Sequence, residues 1–382
     1  MSLVAGIEII DRVSVLLILF VCVRLGIKEP SPVNPYFLFT VTPLSLLIYI
    51  NIGGAYMMDL SHRTWLIAII NMAAFLLALM TTPKKKASEN DVMPRGESSE
   101  TMNIITLFAL SLLGNFIEPL ASLLWIFAVP AIVLSVKSKR VSMLVVVGLY
   151  LLFSFSTGSI SKLFMLMLTM TFLVSYDKYY AVTSKQKKRV LIVAAIGLVV
   201  MVSAFSFANK DRGSYDADEG LSYYSQHGIE WTGAARLFMP YMYLTSSWTN
   251  LQYVMETQDS RTYGLWLAKP LLGYMQMDES FKKEYQLESY SSFNTFGFIT
   301  CGFKDFGFWL SIISAFFLGY YVKRIYERYL IRQSPFDVAC YVLVGLATVE
   351  MFFSNHFFMQ SYPFTVLIEM EIYKLFFKLK RA

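Results

Sequence analysis

The feature of this sequence that most constrains its fold is a series of apolar runs, each close to the length that crosses a lipid bilayer. A membrane helix needs about 20 predominantly apolar residues. Of the 382 residues 56% are hydrophobic and only 16% are charged, whereas soluble domains carry about 25% charged residues. This composition excludes a soluble enzyme, a nucleic-acid-binding protein and a single-anchor receptor. It predicts an all-α, polytopic membrane protein with about 11 (11–12) transmembrane helices. The segments lie near 4–23, 36–52, 64–81, 103–118, 120–136, 141–157, 160–176, 190–207, 306–322, 336–354 and 358–376.

The basic residues predict which side of the membrane each connection occupies. Most of the 33 Lys and Arg residues fall in short stretches between the apolar runs. Such residues resist translocation and stay on the cytoplasmic side. All six stretches then share one face, with the N-terminus outside and the C-terminus inside. The stretches are 24–28, 84–95, 137–140, 178–189, 323–332 and 374–381.

A long segment, 208–305, is predicted on the non-cytoplasmic side. Its acidic residues outnumber its basic ones, and it is rich in Tyr, Trp and Phe. Disordered segments are poor in aromatic residues, so we expect a folded loop domain. The chain thus divides into an N-terminal membrane bundle (1–207), the loop domain (208–305) and C-terminal membrane helices (306–382).

Within the loop, apolar residues recur at helical spacing and predict an amphipathic helix. Its opposite face carries Ser246, Ser247 and Asn250. One interpretation is a helix on the outer leaflet with Trp248 as an interfacial anchor, and the alternative is a twelfth membrane span. The apolar seam comprises Leu237, Tyr241, Leu244, Trp248, Leu251 and Met255.

Several short motifs around this loop are similar to those of one family. They are Asn294-Thr295-Phe296-Gly297, Lys304-Asp305-Phe306-Gly307-Phe308, Leu318-Gly319-Tyr320-Tyr321, Thr157-Gly158-Ser159 with Lys162, Arg261-Thr262-Tyr263-Gly264, and Arg212 at the start of the loop. The chain resembles the O-antigen polymerases, or oligosaccharide repeat-unit polymerases (Wzy-type). It departs from the family at Lys162, where an arginine is more common.

The resemblance implies a GT-C-like glycosyltransferase of the bacterial inner membrane with its active site facing the periplasm. Such an enzyme transfers a growing glycan from undecaprenyl diphosphate to a lipid-linked repeat unit, without a metal or other cofactor. It implies an undecaprenyl-diphosphate-linked oligosaccharide and membrane lipid as partners, together with a chain-length regulator and a flippase, and no nucleic acid. From the matching motifs, Asn294 and Asp305 are candidate substrate-binding residues.

The transfer requires cations, because negative charge builds on the departing diphosphate. Arginine binds phosphate oxygens in pairs and keeps its proton, so Arg212, Arg236 and Arg261 are candidates, with Lys162 beside them. In the alternative interpretation, Arg212 and Arg261 form exposed local ion pairs with Asp211 and Asp259, which have small energetic value. Lys162 then extends toward the interface from a helix end.

The transfer also requires a base for the acceptor hydroxyl. Glu350 and His356 lie near one predicted external turn, and ionisable groups in membrane segments are often functional. Glu118 and His227 are further candidates. Among the aromatic residues, Tyr241 and Trp248 are candidates to stack on sugar faces, with core packing as the alternative.

Two other functions remain open. An O-antigen ligase uses the same chemistry and differs only in its acceptor. A lipid-linked oligosaccharide flippase is the alternative from another class, but transporters commonly show two related halves, and this sequence shows none.

Overall fold

The computed structural model describes 3–29, 31, 33–52, 59–81, 235–258, 261–265, 295–332 and 335–353, with single positions 106, 107, 109, 113 and 131. Every regular element in these ranges is a helix, which confirms the predicted all-α class for this part of the chain. The helices are α1 (Leu3–Lys28), α2 (Pro35–Phe39), α3 (Val41–Ile52), α4 (His62–Thr81), α5 (Ala235–Thr257), α6 (Phe298–Arg332) and α7 (Pro335–Glu350).

Two of these helices are long and apolar enough to cross a membrane, namely α4 and the Phe298–Ile331 part of α6. The predicted span at 36–52 is divided at Thr40, where α2 ends and α3 follows. The predicted spans between 103 and 207 and at 358–376 lie outside the described residues, apart from the single positions. The count of about eleven and the three-part division of the chain therefore stay predictions.

Helices α4 and α6 run in the same direction and pack closely. Asn71 Nδ2 on α4 donates to Ser311 Oγ on α6 at 3.4 Å. Further along, Gly319 lies so near α4 that a Cβ atom there would be 2.4 Å from the carbonyl oxygen of Phe75. Small residues allow such close approach of helix backbones in membranes. Gly319 of the Leu-Gly-Tyr-Tyr motif is thus a helix-packing residue.

Helix α7 runs antiparallel to α6 and thereby defines two ends of the bundle. At one end Tyr341 stacks on Tyr329, with ring centroids 4.8 Å apart. At the other, the Phe298 N–H donates to the Met351 carbonyl at 2.9 Å. We call the first the tyrosine end (Glu29, Tyr36, Lys323, Tyr326, Tyr329 and Tyr341). The second is the motif end (Gln258, 261–265, 295–307 and 350–353).

A buried ion pair holds the tyrosine end together. Lys323 Nζ lies 3.6 Å from Glu29 Oε1, and the two side chains are 3% and 9% exposed. The Tyr326 hydroxyl donates to Glu29 Oε2 at 3.3 Å, and the Lys323 ammonium lies over the rings of Tyr36 and Tyr326. The 323–332 stretch, predicted as a connection, is helical, and Lys323 joins α6 to the turn that follows α1.

The predicted helix around 237–255 is present as α5, but its predicted surface position is wrong. Ser246, Ser247 and Asn250 are buried, as is the apolar seam around Leu251. Trp248 is 3% exposed and its Nε1–H donates to Ser45 Oγ on α3 at 3.0 Å. Helix α5 therefore packs inside the described bundle, and Trp248 is not an interfacial anchor.

Candidate functional site

A break in α6 creates the most unusual backbone of the described structure. Gly307 has φ 70° and ψ −165° inside a helix of 35 residues, a conformation open essentially to glycine alone. The predicted span began at 306, whereas the helix begins at Phe298. The Asp-Phe-Gly motif therefore lies within α6, at its kink. Because a helix break leaves backbone carbonyls without helical donors, the kink needs partners from elsewhere.

A tight turn at 261–265 supplies those partners. The backbone N–H groups of Thr262 and Tyr263 donate to the carbonyls of Lys304 and Asp305, at 3.2 and 3.0 Å. The Thr262 hydroxyl also donates to Asp305 Oδ1 at 2.5 Å. Tyr263 (φ 48°) and Gly264 (φ 89°) take left-handed conformations that close the turn. The Arg-Thr-Tyr-Gly and Lys-Asp-Phe-Gly motifs are thus one unit, which we call the kink–turn junction (261–264 and 303–307).

Arg261 is held against this junction with hydrogen-bonding capacity to spare. Its guanidinium carbon lies 4.4 Å from the centroid of the Phe303 ring, a favourable cation–π distance. Its Nη1 atom is buried and has no hydrogen-bond partner. Asp259, the predicted local ion-pair partner, lies outside the described residues, and no described carboxylate forms an ion pair with Arg261. The junction therefore holds a positioned guanidinium whose Nη1 carries unused hydrogen-bond donors.

Gln258 adds a second side chain with unused hydrogen-bonding groups. Both its Nε2 and Oε1 atoms are buried and lack a hydrogen-bond partner. Its backbone N–H donates to the Val254 carbonyl at 3.1 Å and so continues α5 by one residue. Buried side-chain polar groups in native proteins are usually paired, so an amide left in this state, three residues before Arg261 in the chain, is a candidate ligand-binding group.

The described part of the Asn-Thr-Phe-Gly motif, 295–297, contacts α5 and the turn after α7 just before α6 begins. Thr295 shares a hydrogen bond of 2.6 Å with Ser246, and its carbonyl accepts from Asn250 Nδ2 at 2.7 Å. Gly297 lies against the turn that follows α7, since a Cβ there would be 2.6 Å from the Phe352 carbonyl oxygen. A cavity of about 10 Å³ beside it contains the unpaired Ser247 hydroxyl and has room for about one water molecule. Residues 295–297 therefore serve packing.

The structure brings only some of the predicted site residues together. Arg261 and Asp305 meet in the kink–turn junction, and Glu350 ends α7 at the same end of the bundle, 9% exposed. Arg236 lies in the first turn of α5, but its side chain is outside the described set. Tyr241 and Trp248 are buried in helix packing. Six predicted residues lie outside the described ranges: Glu118, Lys162, Arg212, His227, Asn294 and His356.

Sequence reasoning missed Thr262, Phe303 and Gln258 as members of the site. Thr262 stood inside a named motif and Phe303 next to one, but neither was proposed for the site, because their partners are set by the docking of the turn on the kink.

The described ranges also lack the requirements of a metal site, since they contain no group of three or more His, Cys, Asp or Glu residues that could hold a metal ion.

We expect Gly307→Ala to lower the free energy of unfolding by about 1–3 kcal/mol, the cost of a side chain in this region of backbone space. Its Cβ would also come within 3.2 Å of Arg261 Nε. Thermal unfolding of the purified protein in detergent measures the change. Gly302→Ala is the matched control in the same helix, because its Cβ would make only an ordinary contact of 3.6 Å with Ser311. Equal stability of the two variants would contradict the assigned backbone strain.

Comparison with protein-family models, curated proteins and solved structures finds no match for this chain. Function must therefore be argued from the kink–turn junction and its surroundings.

Proposed function

We propose that this protein is an O-antigen polymerase, a glycosyltransferase that joins undecaprenyl-diphosphate-linked glycans at the periplasmic face of the bacterial inner membrane. The observation that carries the proposal is the Arg261 guanidinium, held on Phe303 with a buried, unpaired N–H. Such a group suits the oxygens of a diphosphate. Two of the motifs that resemble the polymerase family, Arg261-Thr262-Tyr263-Gly264 and Lys304-Asp305-Phe306-Gly307, belong to the unit that holds it.

The position of the junction along α6 supports a lipid-linked substrate. An exposed apolar stripe on α6 begins with Trp309, two residues after the kink, and continues through Ile313 to Phe317; Trp309 and Phe317 are 75% and 65% exposed. In a bilayer this stripe contacts lipid, and tryptophan is enriched where the hydrocarbon meets the headgroups. The junction then lies at headgroup level, where the diphosphate of a polyprenyl carrier is found, with the polyprenyl chain in the adjoining hydrocarbon layer.

In the proposed reaction, an acceptor hydroxyl oxygen attacks the anomeric carbon of the donor sugar. The bond from that carbon to the diphosphate oxygen breaks, and undecaprenyl diphosphate leaves with both bonding electrons. Arg261 stabilises the charge that develops on the departing phosphate oxygens. The acceptor proton passes to a carboxylate or imidazole, with Glu350 and His356 as candidates. Asp305 accepts a hydrogen bond from Thr262 and so positions the turn that carries Arg261.

The proposal includes the topology: about eleven helices, a GT-C-like arrangement and the motif end facing the periplasm. Tyr263 is 85% exposed, so we expect Tyr263→Cys to react with a membrane-impermeant maleimide added outside spheroplasts. Arg324→Cys at the tyrosine end, where the native side chain is 47% exposed, should react only after permeabilisation. Background labelling should be low because Cys22, Cys301 and Cys340 are buried. Labelling of Tyr263→Cys only after permeabilisation would overturn the orientation and the function with it.

Reconstitution tests the activity directly. Protein in liposomes that contain only lipid-linked repeat units, with EDTA present, should produce a ladder of longer glycans on a gel. A ligase would yield no ladder without a lipid A core acceptor, and a flippase would move the substrate without lengthening it. Absence of a ladder from folded protein would refute the proposal, and strict dependence on a divalent cation would refute its metal-free mechanism.

A further inference from the structure

We propose that Gln258 binds a hydroxyl or acetamido group of the sugar attached directly to the diphosphate that Arg261 binds. This inference rests on the proposed function and adds a sugar-recognition residue to it. Its basis is the state of the Gln258 side chain, in which the amide nitrogen and the amide oxygen are both buried without partners. A buried polar group in that state costs free energy until a ligand or water pairs with it.

The chain path places Gln258 and Arg261 within reach of one ligand. Gln258 extends α5 by one residue through its bond to the Val254 carbonyl, so the end of the helix fixes its backbone. Arg261 follows three residues later, and three residues of extended chain span at most about 11 Å. A glycosyl diphosphate places its sugar directly next to its phosphates, so two long side chains this close can bind its two parts.

The chemistry of the amide favours sugar over phosphate. A carboxamide offers both donors and an acceptor, which matches a sugar hydroxyl or an acetamido group, each of which also donates and accepts. The diphosphate offers only hydrogen-bond acceptors. The Arg261 N–H can therefore donate to it, whereas the Gln258 Oε1 atom, itself an acceptor, finds no donor there. The two side chains therefore bind different parts of the headgroup. The Arg261 guanidinium binds the charged diphosphate, and the Gln258 amide binds the first sugar.

Such an amide also provides specificity. A site built to hydrogen-bond a substrate group rejects a ligand that lacks it, because its own buried polar atoms then stay unpaired. The protein should consequently prefer a sugar-bearing carrier to the bare carrier diphosphate. Gln258 should account for that preference.

The experiment measures binding of two probes to the full-length protein in lipid nanodiscs. The probes are undecaprenyl diphosphate and undecaprenyl diphosphate that carries one N-acetylglucosamine. We expect the native protein to bind the sugar-bearing probe about tenfold more tightly, the effect of roughly one good hydrogen bond to a buried partner. Gln258→Leu should abolish this difference by weakening only the sugar-bearing probe. Arg261→Ala should weaken both probes.

The controls separate the two proposals. Thr257→Ala should leave both affinities unchanged. The hydroxyl that it removes is exposed and bonds only to the Tyr253 carbonyl of its own helix. Gln258→Met, unbranched and of similar length, replaces Gln258→Leu if the latter does not fold. If the Gln258 variants keep the sugar preference while Arg261→Ala weakens both probes, the role of Gln258 is wrong and the diphosphate site stands. If Arg261→Ala changes neither affinity, the diphosphate site itself is wrong.

Discussion

Arg261→Ala should reduce the rate of glycan polymerisation by about 10²–10³-fold, the usual cost of removing one preorganised donor from a developing negative charge. The protein should remain folded in the membrane, because the turn is attached to α6 through the backbone of Thr262 and Tyr263 and the Thr262 hydroxyl, none of which the substitution removes. The measurement is the initial rate of ladder formation in liposomes, with the amount of inserted protein determined in the same sample.

Two further variants define the role of this charge. Arg261→Lys keeps the charge but loses the planar pair of donors, so it should recover little activity if paired contacts to phosphate oxygens matter. Arg63→Ala is the matched control, since Arg63 is an exposed arginine in the first turn of α4, and its removal should leave the rate unchanged. Ladders of normal length and rate from Arg261→Ala would contradict the assigned role. By the family resemblance, Arg212→Ala should abolish long ladders as well.

Lys323→Met should lower the free energy of unfolding by about 3–5 kcal/mol, because it leaves the buried Glu29 carboxylate without its cation. Unfolding of the detergent-solubilised protein by heat or denaturant gives the measurement. Activity per folded molecule should change little, since the pair lies at the tyrosine end, away from the kink–turn junction.

The double variant Glu29→Gln with Lys323→Met checks the cause. It removes both charges and should recover much of the lost stability, as replacement of whole buried ion pairs often does. Arg324→Met serves as a control at the neighbouring position, where a half-exposed side chain lies 3.9 Å from Glu327. A loss from Arg324→Met as large as that from Lys323→Met would show that burial of the charge is not the reason.

Hydrophobic pattern predicted where most of the described helices lie, but it missed the division of 36–52 and the full length of α6. It also did not predict the environment of every helix face. The seam through Leu251 correctly indicated α5, and the apolar run at 64–81 matches α4 within two residues. The polar face of α5 was expected to face water, because an amphipathic helix usually places its polar residues toward solvent. Inside the bundle, Ser246 and Asn250 instead bond Thr295 of the segment before α6. In a membrane the lipid tails are as apolar as the helix surfaces, so interhelical hydrogen bonds of this kind help to hold helices together.

The charged residues of the site could be predicted from the sequence, but the contacts that bring them together could not. Arg261 was predicted because arginine suits phosphate oxygens, and Asp305 because it stands in a motif that resembles the polymerase family. The kink–turn junction depends on the positive φ of Gly307 and Gly264. Glycine allows a positive φ but does not require it, so the sequence alone does not predict this backbone. The unpaired amide of Gln258 follows from burial after folding, and no local pattern of residues reports it.

The pairing of α4 with α6 has a consequence for biosynthesis. Gly319 meets Phe75, and Ser311 meets Asn71, yet more than 200 residues separate the two helices in the chain. At about 5–20 residues per second, the ribosome completes α6 about 13–50 s after α4. Until then the Asn71 amide lacks its partner on α6 and the groove that receives Gly319 stands open. A membrane insertase or chaperone that shelters α4 during this interval would favour correct assembly.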